Sequence, residues 1–229
     1  MEGSWDVGTG RFSSGIMYAD NGNIIEGTWD VNSGLFINGT ITYESGDVYE
    51  GHCEDDKRNG QGKMTYENGD VWEGTWKDGR WYEGVYDRAS DGAHFEGQWI
   101  DGSFAQGSYT AGSGVLYEGE FDLETGRLIS GKVTDTEGTV REGEFSPETG
   151  RLVQGRRTTA DGDYRDGSWD PETGSFISGT ARATQSDGRV YEGEWSNGTA
   201  NGRATMTHPD GTVVSGIWKD GSLVEEDEG

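Results

Sequence analysis

Aliphatic side chains are scarce in this chain: Leu, Ile, Val and Phe together fill only 35 of 229 positions, and hydrophobic residues of all kinds make up 30%. That content is thin for a sandwich or barrel closed around one core. Cysteine occurs once, as Cys53, which excludes an internal disulfide framework and fits a reducing compartment. No apolar run approaches the roughly 20 residues needed to cross a bilayer. The opening MEGSWD lacks the basic and apolar regions of a secretory signal, so a cytoplasmic location is expected. Basic residues are few, with 18 Lys and Arg against 43 Asp and Glu, for a formal net charge of −25. Nucleic acid is therefore disfavoured, because neutralising phosphates requires Lys and Arg.

The same scarcity extends to catalytic residues. There are three histidines, none paired at a metal-ligand spacing, and no serine-centred motif. The twelve-residue calcium loop and the GK[ST] phosphate cradle are missing too. His52 and Cys53 are adjacent, but strand alternation sends them to opposite faces, and Cys53 fills a slot held elsewhere by Trp29, Trp76 and Trp99. It reads as a buried filler. No enzyme activity, cofactor or metal is expected.

Few aliphatics with high net charge is the composition of a disordered chain. Against that stand 9 Trp, 10 Tyr and 7 Phe, many at fixed offsets from a periodic glycine. The cassette runs EGSW, EGTW, EGHC, EGTW, EGQW, EGEF, EGEF, DGSW, EGEW and SGIW, with glycines from Gly3 to Gly216 at steps of 24, 24, 23, 23, 22, 24, 24, 26 and 23 residues. One small unit is repeated from end to end, each copy resting on its neighbours.

Within the unit from Val48 to Val71, alternation puts Tyr49, Gly51 and Cys53 on one face and Val48, Glu50 and His52 on the other. A return strand follows, with its own glycine and an apolar residue two positions on, as in Gly39/Ile41, Gly62/Met64 and Gly202/Ala204. Asn21-Gly22, Ser45-Gly46, Asn68-Gly69, Asp91-Gly92, Asp161-Gly162, Asp187-Gly188 and Asp210-Gly211 supply hairpin turns. The sequons Asn38-Gly39-Thr40 and Asn197-Gly198-Thr199 read as turn chemistry. Glycine weakens a strand interior, so its recurrence predicts a bent sheet whose rings cover the bare backbone. The fold class is all-β: an elongated, single-layer, twisted, open-ended antiparallel meander of hairpin repeats. One array is expected over residues 1–224, with an acidic tail over 225–229.

YEGEW at 191–195, NGQG at 59–62 and MTYENGDVWEGTW at 64–76 resemble the MORN repeat (membrane occupation and recognition nexus), and the resemblance covers essentially the whole chain in about ten copies. It implies a grooved, twisted antiparallel sheet and non-catalytic work as scaffold, adaptor or membrane-associated module. The family's basic turn survives only at Lys57 to Gly62, while DLETGRLISG, SPETGRLVQG and DPETGSFISG are longer and acidic. These departures weaken the lipid implication.

The densest aromatic cluster, Trp72, Trp76, Trp81, Tyr82 and Trp99, is the candidate contact surface. Glu26, Glu50, Glu73, Glu96, Glu118, Glu142, Asp166 and Glu192 form a predicted acidic column on the opposite face. That column either steers a basic or amphipathic protein segment or solvates the face, paired with nearby Lys and Arg. Sheet edges near Glu2 to Val7 and Val214 to Lys219 permit end-to-end self-association. The competing readings are a membrane or phosphoinositide module, through Arg151, Arg156 and Arg157, an engineered or isolated repeat array without a native partner, and carbohydrate binding.

Overall fold

The computed structural model describes residues 1–227 as twenty β-strands, with no helix among them. They fall into two compact units divided between Ser113 and Gly114, where the sequence shows no change of composition and predicts an unbroken array. The first unit holds β1 (Glu2–Trp5), β2 (Phe12–Tyr18), β3 (Ile24–Trp29), β4 (Phe36–Thr42), β5 (Val48–Glu54), β6 (Lys57–Thr65), β7 (Val71–Lys77), β8 (Arg80–Arg88), β9 (Ala93–Ile100) and β10 (Ser103–Thr110). The second holds β11 (Leu116–Phe121), β12 (Leu128–Thr134), β13 (Val140–Phe145), β14 (Leu152–Thr158), β15 (Tyr164–Trp169), β16 (Phe176–Thr184), β17 (Val190–Ser196), β18 (Thr199–Thr207), β19 (Val213–Lys219) and β20 (Ser222–Glu226). Within each unit every strand pairs antiparallel with its sequence neighbours, giving the open all-β meander that the repeat predicts.

The periodic glycines meet across the strands. In the first unit the partners run Gly3, Gly15, Gly27, Gly39, Gly51, Gly62, Gly74, Gly84, Gly97 and Gly107, one from each strand. Backbones approach so closely there that a methyl on Gly39 would stand 2.7 Å from the Gly27 Cα and nearer still to the Glu26 carbonyl oxygen. The Tyr49 ring covers Gly62 in the same way, which is the predicted covering of bare backbone by rings.

In the second unit the row runs through Gly119, Gly131, Gly143, Gly155, Gly167 and Gly179, then steps by two residues. Gly179 faces Trp195, while Gly193 lies between Ala181 and Ala204, with Gly216 beyond. The 26-residue spacing from Gly167 to Gly193 carries the extra residues, and nine-residue β16 absorbs them. Gly202 is therefore not the row glycine of its strand, as its sequence suggests; it faces Trp218, and Ala204 takes the place in the row.

Residues two before and two after each glycine form the core face. Tyr49, Cys53, Met64, Trp72 and Trp76 join Phe12, Trp29 and Phe36 in one buried cluster of the first unit. Ala181, Trp195, Ala200, Ala204, Met206 and Trp218 form another in the second. Rings interlock edge to face, as in Phe12–Trp29 and Trp72–Trp76, each with centroids 4.7 Å apart, contacts worth about 0.5–1.5 kcal/mol each beyond burial. In this way a sheet with few aliphatics still obtains a core.

Turns are of several kinds. Gly22, Gly46, Gly69, Gly92, Gly162, Gly188 and Gly211 take positive φ between 73 and 96°, as their dipeptides predict. Asp55-Asp56, Asp78-Gly79, Asp101-Gly102, Asn197-Gly198 and Asp220-Gly221 are two-residue turns with both φ angles positive, the geometry that suits right-twisted hairpins. The Lys57 to Gly62 segment is strand rather than turn, because Asp55 and Asp56 already close the hairpin. Asn38-Gly39-Thr40 likewise lies inside β4 and belongs to the ladder.

The long acidic turns are organised by their first residue. Asp170 Oδ1 accepts from the N–H groups of Glu172 (2.8 Å) and Thr173 (2.7 Å), and Asp6, Asp30 and Asp122 act in the same way. These hydrogen bonds hold each carboxyl below its usual value. Each such turn then returns a large apolar residue, among them the buried Leu128 and Leu152, opposite the second aromatic of the preceding strand.

Turns of successive repeats are also stapled to one another. Arg11, Arg127 and Arg151 each donate to a carbonyl of a turn 21 residues on, at Asn32, Glu148 and Glu172. At the other ends of the strands Asp70, 8% exposed, accepts from the Ala89 N–H (2.8 Å) and the Tyr86 hydroxyl (2.7 Å). The Tyr86 bond is the main cause holding the Asp70 carboxyl below its ordinary value. A carboxyl lowered on folding stabilises fully above its unfolded value, near 3.8, and loses that contribution as pH falls through the folded value. Tyr86→Phe is expected to cost about 2 kcal/mol at neutral pH and to make acid unfolding begin at higher pH. Urea titrations from neutrality down to about pH 3 check this, and parallel curves for variant and parent contradict it.

Strand β20 carries Glu225 and Glu226 opposite Ile217 and Gly216, and Arg203 holds Asp227 at 2.7 Å. The boundary drawn at 224 thus falls inside a strand, and residues 228 and 229 of the expected tail lie outside the described residues. The edge predicted at Val214 to Lys219 is occupied on both sides, by β18 and β20. Among the described residues β20 pairs only with β19, which leaves an acidic outer strand.

Candidate functional site

The structure separates the five candidate aromatics. Trp72 (0% exposed), Trp76 (2%) and Trp99 (4%) are buried, so the densest cluster is core rather than contact surface. Each ring is covered by neighbours one and two strands away. Trp72 stacks on Trp81 at 5.7 Å and meets Trp99 edge-on at 6.3 Å. Tyr82 is 45% exposed and is the extra residue where the β7–β8 register shifts between Thr75 and Trp76. It leaves the core and lies near Lys77 Nζ, 5.6 Å from its ring centre. Of the five, half-buried Trp81 and an edge of Trp76 line an accessible cleft.

That cleft, about 710 Å³, is lined by Arg58, Tyr66, Trp76, Gly79, Arg80, Trp81, Asp101 and Gly102. Arg58 faces Cys53 across the β5–β6 ladder, lies over the Trp76 ring at 4.3 Å, and donates to the Gly79 carbonyl at 3.2 Å. Arg80 pairs with Asp101 at the rim. Burial pushes the Tyr66 hydroxyl above its ordinary value. An aromatic floor with two guanidiniums can hold an apolar side chain and satisfy carbonyl or carboxylate groups beside it. Sequence reasoning passed over Arg58 and Tyr66; the one available signal was the survival of the basic segment at Lys57 to Gly62.

Cys53 is 5% exposed, and burial pushes its thiol up to about 11, so it stays protonated at neutral pH. His52 lies on the opposite, exposed face, as alternation predicts. His94 is exposed and contacts Asp87 at 2.6 Å. Among the described residues no group of three or more His, Cys, Asp or Glu side chains could hold a metal ion.

The acidic residues do form rows, which cations interrupt. In the second unit Glu118, Lys132, Glu142, Arg156, Asp166 and Thr180 are successive cross-strand partners, with Lys132–Glu118 at 3.4 Å and Arg156–Asp166 at 3.2 Å. Glu194 continues that row, whereas Glu192 stands opposite Arg182 in a different one. The two-residue step at β16 moves it there, so the expected column ends at Asp166. In the first unit Glu26, Thr40, Glu50, Lys63, Glu73, Val85 and Glu96 alternate with one cation, and Lys63–Glu73 lie 4.0 Å apart. Exposed pairs of this kind contribute about 0.2–1 kcal/mol. Their effect is mainly to solvate the face.

No curated protein matches the sequence. Among solved structures, the TCP10 domain of Danio rerio CPAP in complex with a STIL peptide is similar at 14% identity and TM-score 0.35, covering 95% of this chain and 100% of that one. The TCP domain of Drosophila melanogaster SAS-4, in complex with a proline-rich motif of Ana2, is similar at 14% identity and TM-score 0.28, covering 90% of each. The family model of the MORN repeat matches residues 49–71, spanning β5 to β7, and 191–213, spanning β17 to β19. The chain thus carries MORN repeats at these two positions, one in each unit, and the same glycine spacing continues through the intervening strands.

Proposed function

We propose that this chain is a non-enzymatic interaction scaffold that takes a protein segment in the cleft of its first unit. The observation that carries the reading is the 710 Å³ opening in which the edge of Trp81 and the Arg58 and Arg80 guanidiniums stand beside an otherwise sealed aromatic core. The fitting segment is amphipathic. An apolar anchor stacks on Trp81, and basic flanking residues are drawn by a chain of net charge −25.

Selection of linear peptides against the immobilised chain, followed by anisotropy titration, tests this. Enriched peptides should carry an apolar anchor with basic flanks and should bind more weakly as salt rises. Trp81→Ala should weaken binding about 30-fold, the scale of a buried interface anchor, and Arg80→Ala less. Tyr82→Ala, on the other face, should leave it unchanged. No enriched sequence, or equal losses in the Trp81 and Tyr82 variants, contradicts the assignment.

A further inference from the structure

Three arginines stand side by side on the core face of the second unit. Pairing places Arg141 opposite Arg157 and Arg157 opposite Arg165, with Val133 at one end of the row and Ala181 at the other. The corresponding row of the first unit is apolar throughout, running through Ile25, Ile41, Tyr49, Met64, Trp72 and Tyr86. Like charges directly opposite one another destabilise a sheet, and adjacent strands are only about 4.8 Å apart. None of the three forms an ion pair among the described residues. The Nε of Arg141 is buried without a hydrogen-bond partner.

A pocket of about 310 Å³ opens over Arg141 and Arg157, with Arg151 beside them and Leu152 and Trp169 in its wall. Arg157 also lines a neighbouring pocket of about 210 Å³ with Arg165 and Arg182. Each pocket includes one carboxylate, and both are already engaged. Asp135 accepts from the Thr139 N–H at 2.9 Å, and Asp163 from the Thr184 N–H and hydroxyl, each at 2.8 Å. Arg156, grouped with Arg157 by sequence, lies on the opposite face against Asp166 and takes no part.

We infer that Arg141, Arg157 and Arg165 form a binding site for a small, multiply charged oxyanion of the pyrophosphate class. Guanidinium forks match phosphate oxygens in pairs, and an anion spanning two neighbouring arginines relieves the repulsion along the row. A free anion suits the site better than an anionic lipid surface. The net charge of −25 repels an extended surface, whereas a small ion inside the pocket responds to the guanidiniums nearest it.

Calorimetric titration of the full chain with inorganic pyrophosphate, at ionic strength held constant with sodium chloride, tests the site. Saturable binding with one anion per chain is expected. Arg157→Gln should weaken it by about tenfold or more, the worth of a hydrogen bond between charged groups. Arg156→Gln removes the same charge from the other face of the same strand and should change nothing. Circular dichroism verifies the fold of each variant, and Arg165→Gln replaces Arg157→Gln if the latter unfolds. Absence of saturable binding, or equal loss in the Arg156 variant, overturns the assignment. Capture only on phosphoinositide vesicles, with no affinity for free pyrophosphate, overturns it as well.

Discussion

Gly39→Ala is expected to destabilise the first unit by more than about 4 kcal/mol. The new carbon would stand 2.7 Å from the Gly27 Cα and closer still to the Glu26 carbonyl oxygen. Both obstacles are backbone, so no rotamer change relieves them. The φ of +144° is also unfavourable for any residue bearing a Cβ. β4 is hydrogen-bonded to β3 and β5 on its two sides, so neither neighbour can withdraw without breaking its own ladder. Gly79→Ala is the control. At φ +83°, with nothing within 4 Å of the added carbon, it should cost only about 1–2 kcal/mol of backbone strain. Urea unfolding followed by tryptophan fluorescence separates the two. Equal costs would show that the spacing between strands relaxes, and that the glycine row is not a steric requirement.

Trp72→Ala should cost about 4 kcal/mol, because a fully buried indole leaves a cavity among Trp76, Trp81 and Trp99. The phenylalanine variants discriminate further. The Trp72 Nε1 is buried without a partner, so Trp72→Phe removes an unsatisfied donor along with some volume. Trp76 donates to the Gly62 carbonyl at 3.2 Å and lies under the Arg58 guanidinium, so Trp76→Phe loses a hydrogen bond and a cation contact. Trp76→Phe should therefore cost about 1 kcal/mol more than Trp72→Phe. The reverse order would mean that ring volume, and not polar satisfaction, decides the stability of this cluster.

Pairing partners show why the candidate site was only partly legible. Alternation about Gly74 correctly puts Trp72 and Trp76 on one face, but whether that face is open at those positions depends on Trp81 and Trp99, which arrive from β8 and β9. A density of aromatics along the sequence therefore marks the best-covered part of the core. Tyr82 left the face through a one-residue register shift in β8, which glycine spacing does not reveal. The arginine row is not legible as a cluster in the sequence, where Arg141, Arg157 and Arg165 stand apart along the chain. Its consequence, three charges facing one another, requires the registers of β13, β14 and β15.

The sequence by itself determined the strands, their antiparallel order and the face each periodic residue takes, because a two-residue alternation and a close-packed glycine are local constraints repeated in every copy. Tertiary structure alone decided which rings remain accessible, where the glycine row steps, which carboxylates meet a cation, and which strand forms the outer edge of the second unit. Each of these depends on the register between strands. Register is a sum over a whole ladder of neighbours, and two extra residues in β16 are enough to displace Glu192 from one row to another.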